Sequence, residues 1–597
     1  MAENTKKIRR FLKELDIVSE QISEHNVSEK IRSFIKENFS KNPPDVLIWE
    51  QTAFDFTENY PDDKSGWGTY FGPMFVFPNE EGKMVEYSSI QKITPDIISY
   101  WEKRAKESEN PILKARYSNL VWDFSEKVKG EKPHYTIAQV FIDSVVEIAE
   151  KDLHKYSVDV IKKLGRALSI ALSINDKQRI NKLADTIIAY ERKIAEDDKP
   201  GLWGFSYELL VKNKKVSLSK DKKHIILNDL ERRFERLLKG NDHWAAKRAA
   251  VLLVDYYSGL GNKEKTKEIL LKLGKMIQKQ AEQASPLIAS AWLEELYHLY
   301  LQYGMKDEAD RISNKIRELG EQAKSELKEI KASIEIPKDK LEKYIKWLTD
   351  GDLDTVLTKI AVNYIPKKDE VTKQIQGLSK KAPISFLFTH KIMDAEGRPI
   401  ATVGSLEDDI EGHIVLQISQ NMQISSFFLR ETLSALIDKF NLTAKEIVNY
   451  LYESPIFDKR RKELLIRGIE SYLNGDFLVS LHILIPQIEA IIRNLAEKIG
   501  IPILKSSRLK SSRSGGFFYR TLDELLQEEG IISVLGEDMC LYFRVLLTDP
   551  RGWNIRNDVC HGISGAENFN QMVADRIFHV LLCLALVKER KKNDFKH

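Results

Sequence analysis

Apolar residues recur at intervals of three and four along most of this chain, which is the spacing that one buried face of an α-helix requires. The first segment shows the pattern, because charged residues separate Phe11, Leu12, Leu15 and Val18. The strict alternation that indicates strands is rare. The pattern therefore predicts a mainly α-helical protein, and 597 residues predict more than one domain.

Two segments depart from the helical pattern and predict small β-hairpins. Between Pro43 and Tyr87 aromatic residues stand among Gly and Pro, and FVFPNEEGKMVEY has the pattern of a hairpin. The second hairpin is predicted in ISFLFTHKIMDAEGRPIATVGS, with Glu396 and Gly397 in the turn. The aromatic residues of the first segment either line a ligand site or pack it onto neighbouring helices, and we favour packing.

The middle of the chain carries paired helical segments that repeat. DYYSGLGNKEKTKEI and HLYLQYGMKDEADRI align at an offset of 43 residues, which places Gly261 over Gly304. Glycine at that point would end the first helix of each pair in the left-handed conformation. Stacked pairs of this kind resemble tetratricopeptide-like repeats, whose concave surface binds a protein or peptide partner. Plain helical packing is the alternative.

The C-terminal segment predicts a bundle of four helices. Its most apolar helix follows Asp476 and carries a buried stripe from Phe477 to Leu495, with Pro486 inside it. The predicted domains are an N-terminal helical domain with the aromatic hairpin (1–150), the helical repeats (151–370), a linker module with a β-hairpin (371–455) and the bundle (456–597).

Composition and charge narrow the classes of protein to which the chain can belong. Lys and Arg number 92 and Asp and Glu 89, so the net charge of +3 gives no general attraction to nucleic acid or anionic lipid. Three cysteines without a C-x-x-C pair indicate a reducing compartment, and the N-terminus lacks the apolar core of a signal peptide. The longest apolar run, Ile577–Val587, is too short to span a membrane. We therefore expect a cytoplasmic protein without a membrane segment.

Polar residues are dense in NIRNDVCHGIS, at 554–564, in the connection before the last helix. A histidine there suits proton transfer near neutral pH, and an arginine suits phosphate oxygens. Residues five apart on an ideal helix point about 140° away from each other, so the two side chains converge only if the chain bends. A solvated polar turn is the alternative. The polar residues are Arg556, Asn557, Asp558 and His561, flanked by Gly552, Gly562 and Gly565.

The spacing of Arg556 and His561, with a polar residue after the arginine, resembles the R-x4-6-H motif of the HEPN superfamily. Its members are four-helix bundles, and many are metal-independent ribonucleases in toxin, CRISPR and phage-defence systems. YLNGDFLVSLHILIPQIEAIIRNL together with RNDVCHG resembles a bacterial domain of unknown function placed near that superfamily. YWEKRAKESENPILKARYSNLVWDF resembles the N-terminal domain commonly joined to it. The resemblance implies a bacterial defence or toxin-type endoribonuclease.

By this resemblance, the candidate catalytic residues are Arg556, His561 and Asn557. The 2′-hydroxyl of RNA supplies the nucleophile, so His561 would transfer protons, Arg556 would bind the phosphate, and Asn557 would bind the phosphate or orient the imidazole. No cofactor and no metal is implied. The superfamily commonly forms dimers with facing motifs, so a homodimer is expected. Its adenylylated toxins carry a tyrosine two residues after the histidine, where this chain has Ile563.

Two further groups of residues are candidates near the motif. Glu489, Arg493 and His482 fall on one line of their helix and, with Asp558, are candidate supporting residues. A surface ion pair is the alternative for Glu489 and Arg493, and a cap for Asp558. The basic segment LKSSRLKSSRSGGFFYR ends in three aromatic residues, which suits single-stranded RNA; a solvated loop before a core anchor is the alternative. Its candidate RNA-binding residues are Lys505, Arg508, Lys510, Arg513 and Arg520.

The expected function is therefore metal-independent cleavage of RNA by 2′-hydroxyl attack. The alternative is a non-catalytic helical adaptor that dimerises through its bundle and binds a protein partner on its repeats. The chain contains no P-loop sequence, so ATP-driven activity is not indicated.

Overall fold

A computed structural model of the protein describes residues 2–17, 21–39, 42–58, 66–79, 83–328, 335–394, 396–506 and 516–589. Helices dominate these ranges, and their strands pair only in small two-stranded sheets, which confirms the predicted mainly α-helical class. The chain divides into two compact units, Met1–Asn314 and Lys315–His597. The predicted repeat region, 151–370, runs across this division, and the four-domain arrangement stays a prediction.

Helices of the first unit pack mainly on their neighbours along the chain. Gly261 and Gly304 both take the left-handed conformation between paired helices, with φ of 73°, as their shared position in the repeat predicts. The helices are Ala2–Leu15, Glu24–Phe39, Asp45–Ala53, Pro95–Glu107, Pro111–Lys129, Tyr135–Lys151, Ser157–Ser173, Lys177–Ile194, Lys220–Leu237, His243–Gly259, Lys263–Ala281, Pro286–Gln302 and Lys306–Glu326, the last of which continues past the unit boundary.

Two antiparallel strand pairs lie in the aromatic segment of the first unit. Phe56–Glu58 pairs with Phe71–Pro73, and Phe75–Pro78 pairs with Met84–Tyr87, which is the predicted hairpin. The rings divide into two groups. Those of Phe56 and Phe71 pack edge-on against Phe124, whereas Phe75 and Phe77 are exposed. The favoured packing role therefore holds for the first strand pair and not for the hairpin.

The second unit is built around its last long helix, Gln571–Ala585, in which every residue of Val573–Ala585 is buried. That helix packs against Leu353–Asn363, Ile410–Phe440, Ala444–Leu451 and Phe477–Lys498, so the core extends into segments that precede the predicted bundle. The other helices of the unit are Lys338–Leu348, Lys368–Lys381, Pro383–Leu387, Lys462–Leu473, Leu522–Leu526, Glu529–Leu535, Glu537–Leu547 and Ile555–Cys560.

Two short hairpins complete the second unit. His390–Met393 pairs with Pro399–Val403 around Gly397, which has a φ of 77°, as the sequence predicts. Leu504–Ser506 pairs with Phe517–Tyr519 at the two ends of the basic segment, a hairpin that the sequence did not predict.

One helix in the described part of the chain, Phe477–Lys498, is long and apolar enough to cross a membrane by length and composition. However, 56% of its most apolar window is buried inside the protein, and Leu481, Leu484 and Ile488 belong to the core. That burial is typical of a core helix. Pro486 lies within this unbroken helix, and the expectation of a protein without a membrane segment stays a prediction.

Candidate functional site

The motif lies on a short helix, Ile555–Cys560, reached through a tight connection. Gly552 is required there because a Cβ atom would stand 2.2 Å from the backbone oxygen of Val545. Asn554 precedes the helix in the left-handed conformation, with φ of 51°, and Gly562 follows it with φ of 67°. The flanking residues thus fix both ends of a regular turn of helix rather than bending it.

Arg556 is half-buried and held by two acceptors. Its Nε donates to Oε2 of Glu489 at 2.8 Å, and its Nη1 donates to Oδ1 of Asn557 at 2.9 Å. The amide of Asn557 donates in turn to the backbone oxygen of Thr548 at 3.2 Å and to Oδ1 of Asn554 at 2.8 Å. No described residue accepts a hydrogen bond from Nη2, so one nitrogen of the guanidinium is left for a ligand.

Glu489 is buried between two guanidiniums. It is 7% exposed, its Oε1 lies 2.5 Å from Nη2 of Arg493 in an ion pair, and its Oε2 accepts a hydrogen bond from Arg556. The pair with Arg493 is therefore a buried one rather than the surface pair that was the alternative. One carboxylate balances only one of the two cations, so the three groups together carry a net charge of +1, and that charge is attractive to phosphate.

Arg493 links this triad to the aromatic hairpin. Its guanidinium lies 5.2 Å from the ring centroid of Tyr519 and donates to the backbone oxygen of Arg520 at 3.0 Å. Phe517, Phe518 and Tyr519 are 75%, 54% and 63% exposed. These rings are therefore not anchors in the core, and they offer flat apolar surface beside a positive charge.

Two of the five candidate RNA-binding residues lie in the described part of the chain, and both have partners. Lys505 pairs with Glu524 at 2.6 Å, and Arg520 pairs with Glu528 at 2.5 Å. Arg520 also donates to the backbone oxygen of Pro502 at 3.3 Å, so it fixes the base of the hairpin. The other three candidates lie outside the described residues: Arg508, Lys510 and Arg513.

His561 follows the motif helix directly and is exposed. Its imidazole makes no hydrogen bond with any described residue, and no contact joins it to Arg556. Asp558 accepts from the amide of Asn554 at 2.9 Å, and burial raises the pKa of this carboxyl. His482 lies outside the network, since Nδ1 donates to the backbone oxygen of Leu478 at 2.8 Å and the ring stacks on Phe569.

The network thus joins Arg556, Asn557, Glu489 and Arg493, and it omits His561 and His482. Sequence reasoning missed Asn554, which binds both Asn557 and Asp558. An asparagine before a short helix is a signal for that role, because it tolerates the left-handed conformation. Among the described residues, no group of three or more His, Cys, Asp or Glu side chains could hold a metal ion.

One family model matches part of the chain. It is described as "Domain of unknown function (DUF7380)" and matches residues 63–183, about a fifth of the sequence. The matched segment lies within the first unit, includes Tyr100–Phe124 and does not include the motif. No curated protein and no solved structure matches the chain.

Proposed function

We propose that the protein is a metal-independent endoribonuclease that cuts single-stranded RNA, with Arg556, Asn557 and His561 as its catalytic residues. The observation that carries the proposal is the half-buried guanidinium of Arg556, held by Glu489 and Asn557 with Nη2 unpaired, in a cluster of net positive charge beside exposed aromatic rings. The resemblance of this motif to that of the HEPN superfamily supports the same chemistry.

In the proposed reaction the RNA supplies its own nucleophile. The 2′-hydroxyl attacks the adjacent phosphorus, the P–O5′ bond breaks, and the products carry a 2′,3′-cyclic phosphate and a 5′-hydroxyl. Arg556 binds the non-bridging oxygens, whose negative charge grows in the transition state. His561 accepts the proton of the 2′-hydroxyl or donates one to the leaving 5′-oxygen, because an imidazole exchanges protons near neutral pH.

The reaction needs two proton transfers, which two histidines could carry out. The proposal therefore includes a homodimer in which each copy supplies its His561. We further propose that the protein is a cytoplasmic effector of bacterial defence or toxin type, and that its helical repeats bind a protein partner. These parts of the proposal follow from the resemblance and not from contacts within the chain.

A non-catalytic adaptor is the second candidate, and one observation favours it. Arg556 and Asp558 both have partners within the chain, as they would in a purely structural turn, and no contact joins Arg556 to His561. An adaptor would keep this network and would bind a protein partner without cutting RNA.

The test compares wild type with His561→Ala on a labelled single-stranded RNA in the presence of EDTA. His561 is exposed and its side chain makes no hydrogen bond with a described residue, so its loss should leave the thermal unfolding temperature nearly unchanged while cleavage falls by at least about a hundredfold. His298→Ala, an exposed histidine of the first unit, is the matched control and should cut like wild type. The product ends should be 2′,3′-cyclic phosphates.

Two results would contradict the nuclease. The first is full activity of His561→Ala, and the second is the absence of RNA cleavage by folded wild type at every protein concentration and RNA sequence tried. The second result, joined with saturable binding of a protein partner, would establish the adaptor.

A further inference from the structure

A cavity of about 280 Å³ lies in the first unit between the helices Lys177–Ile194 and Lys220–Leu237. Its wall is rich in arginine, and the segment that follows the first of these helices closes one side. The residues that matter for its chemistry are Arg192, Arg232, Arg233, Arg236, Asp229 and Ser206.

Two of these arginines share one carboxylate. Asp197 accepts two hydrogen bonds from Arg236, at 2.9 and 3.0 Å, and a third from Arg233. Arg233 also lies 5.2 Å from the ring centroid of the fully buried Trp203. Burial lowers the pKa of the Arg233 guanidinium and Arg236 lowers it further, although Asp197 acts in the opposite direction. This pair of cations is therefore only partly neutralised.

The other two arginines differ in their partners. Arg192 pairs with Asp229 at 2.5 Å, whereas Arg232 is exposed and makes no ion pair with any described residue. Glu191, the remaining acidic residue of the wall, accepts backbone hydrogen bonds and pairs with none of the four arginines. Four guanidiniums thus face three carboxylates, and at least one positive charge lacks a counterpart.

Ser206, one of the residues that line the cavity, has a buried hydroxyl. Glu191 accepts the backbone N–H groups of Gly204 at 2.8 Å and Ser206 at 2.6 Å, which fixes the segment against the helix. Ser206 is only 3% exposed, and its Oγ makes no hydrogen bond with any described residue. Burial of a hydroxyl without a partner is unfavourable, and a bound acceptor would supply the missing hydrogen bond.

We infer that this cavity binds a phosphate group, either as the free ion or at the end of a small phosphomonoester. Guanidinium forks match the oxygens of a tetrahedral anion, and the Ser206 hydroxyl can donate to a further oxygen. The cavity is large enough for a phosphate group and a few more atoms. The cavity belongs to the first unit and the motif to the second, and this inference does not depend on the proposed nuclease.

The test titrates full-length protein with inorganic phosphate and, separately, with glycerol 3-phosphate, by calorimetry and thermal unfolding. Potassium chloride at matched ionic strength corrects for general salt effects. Wild type should bind saturably. Arg232→Gln removes the arginine that has no internal partner, so it should fold normally and bind about tenfold more weakly. Arg317→Gln, an exposed arginine outside the cavity, is the matched control and should bind like wild type.

The variant Ser206→Ala distinguishes an effect on phosphate binding from an effect on the stability of the fold. Removing a hydroxyl without a partner should leave the ligand-free protein at least as stable as wild type, yet phosphate should bind several-fold more weakly. Tighter binding of glycerol 3-phosphate identifies a phosphomonoester site, and equal binding identifies a site for the free ion. The inference is overturned if phosphate has no effect beyond that of chloride, or if both variants bind it like wild type.

Discussion

Asp575 is a buried carboxylate with too few partners, and it makes the stability of the second unit depend on pH. It is 1% exposed, and its Oδ1 accepts from the hydroxyl of Tyr472 at 2.7 Å. Its Oδ2 accepts no hydrogen bond from any described residue, and Nε of Arg430 lies 3.9 Å away. Burial raises the pKa of this carboxyl from 3.8 to about 6, since desolvation outweighs these contacts.

The direction of the change in stability with pH follows from which state, folded or unfolded, binds the proton more tightly. The folded-state pKa lies above that of the unfolded chain, so the folded protein binds the proton more tightly between these values. The protonated form therefore favours folding at low pH, and this advantage is lost as the pH rises through about 6. The difference between 3.8 and about 6 corresponds to about 3 kcal/mol, which is an upper limit.

The perturbation is Asp575→Asn, which keeps the shape of the side chain and removes its charge. Urea unfolding by circular dichroism would be measured for both proteins at about pH 4.5 and about pH 7.5. Relative to the variant, wild type should lose about 2 kcal/mol of its free energy of unfolding over this range. Asp438→Asn, an exposed aspartate of the same unit, is the control. A constant difference between wild type and Asp575→Asn at both pH values would refute the reasoning.

Two further predictions rest on the second unit. Gly552→Ala should lower the free energy of unfolding by about 1–3 kcal/mol in urea, because the added Cβ would collide with the backbone oxygen of Val545; a fully stable variant would contradict the tight connection. In native protein a thiol reagent should label one cysteine per chain, Cys560, because its side chain is exposed while those of Cys540 and Cys583 are buried. Fast labelling of a second thiol, counted by mass spectrometry, would contradict that burial.

The helical class could be predicted from the sequence because apolar periodicity is a local property. Positive-φ turns were predictable for the same reason, as at Gly261 and Gly304. The extent of the core of the second unit could not be predicted, because its last helix is buried on every side and so shows no polar face. Arg576 is an example. From the sequence an arginine is expected at the surface, but this guanidinium is fully buried and donates to the backbone oxygen of Met422.

The candidate site was predictable only in part. Placing Glu489 and Arg493 on one line of a helix was correct, because that relation is local. His482 was included because it falls on the same line. It lies two turns from Glu489, about 10 Å along the helix axis, and has contacts of its own. The carboxylate that pairs with Arg556, that of Glu489, comes from another segment of the chain, so the charge pattern of the sequence did not reveal this pair.

The burial of Arg576 limits where the chain can be divided for experiments. Its Nη2 donates to the backbone oxygen of Met422 at 2.7 Å and to Oγ of Ser425 at 2.6 Å, and both belong to the helix Ile410–Phe440. A fragment that started at the predicted bundle boundary, 456, would lack those acceptors. The guanidinium of Arg576 would then have no hydrogen-bond partner from that helix in an apolar interior. A shortened protein that retains the motif must therefore begin ahead of that long helix and also include Leu353–Asn363, whose carbonyl oxygens face His579.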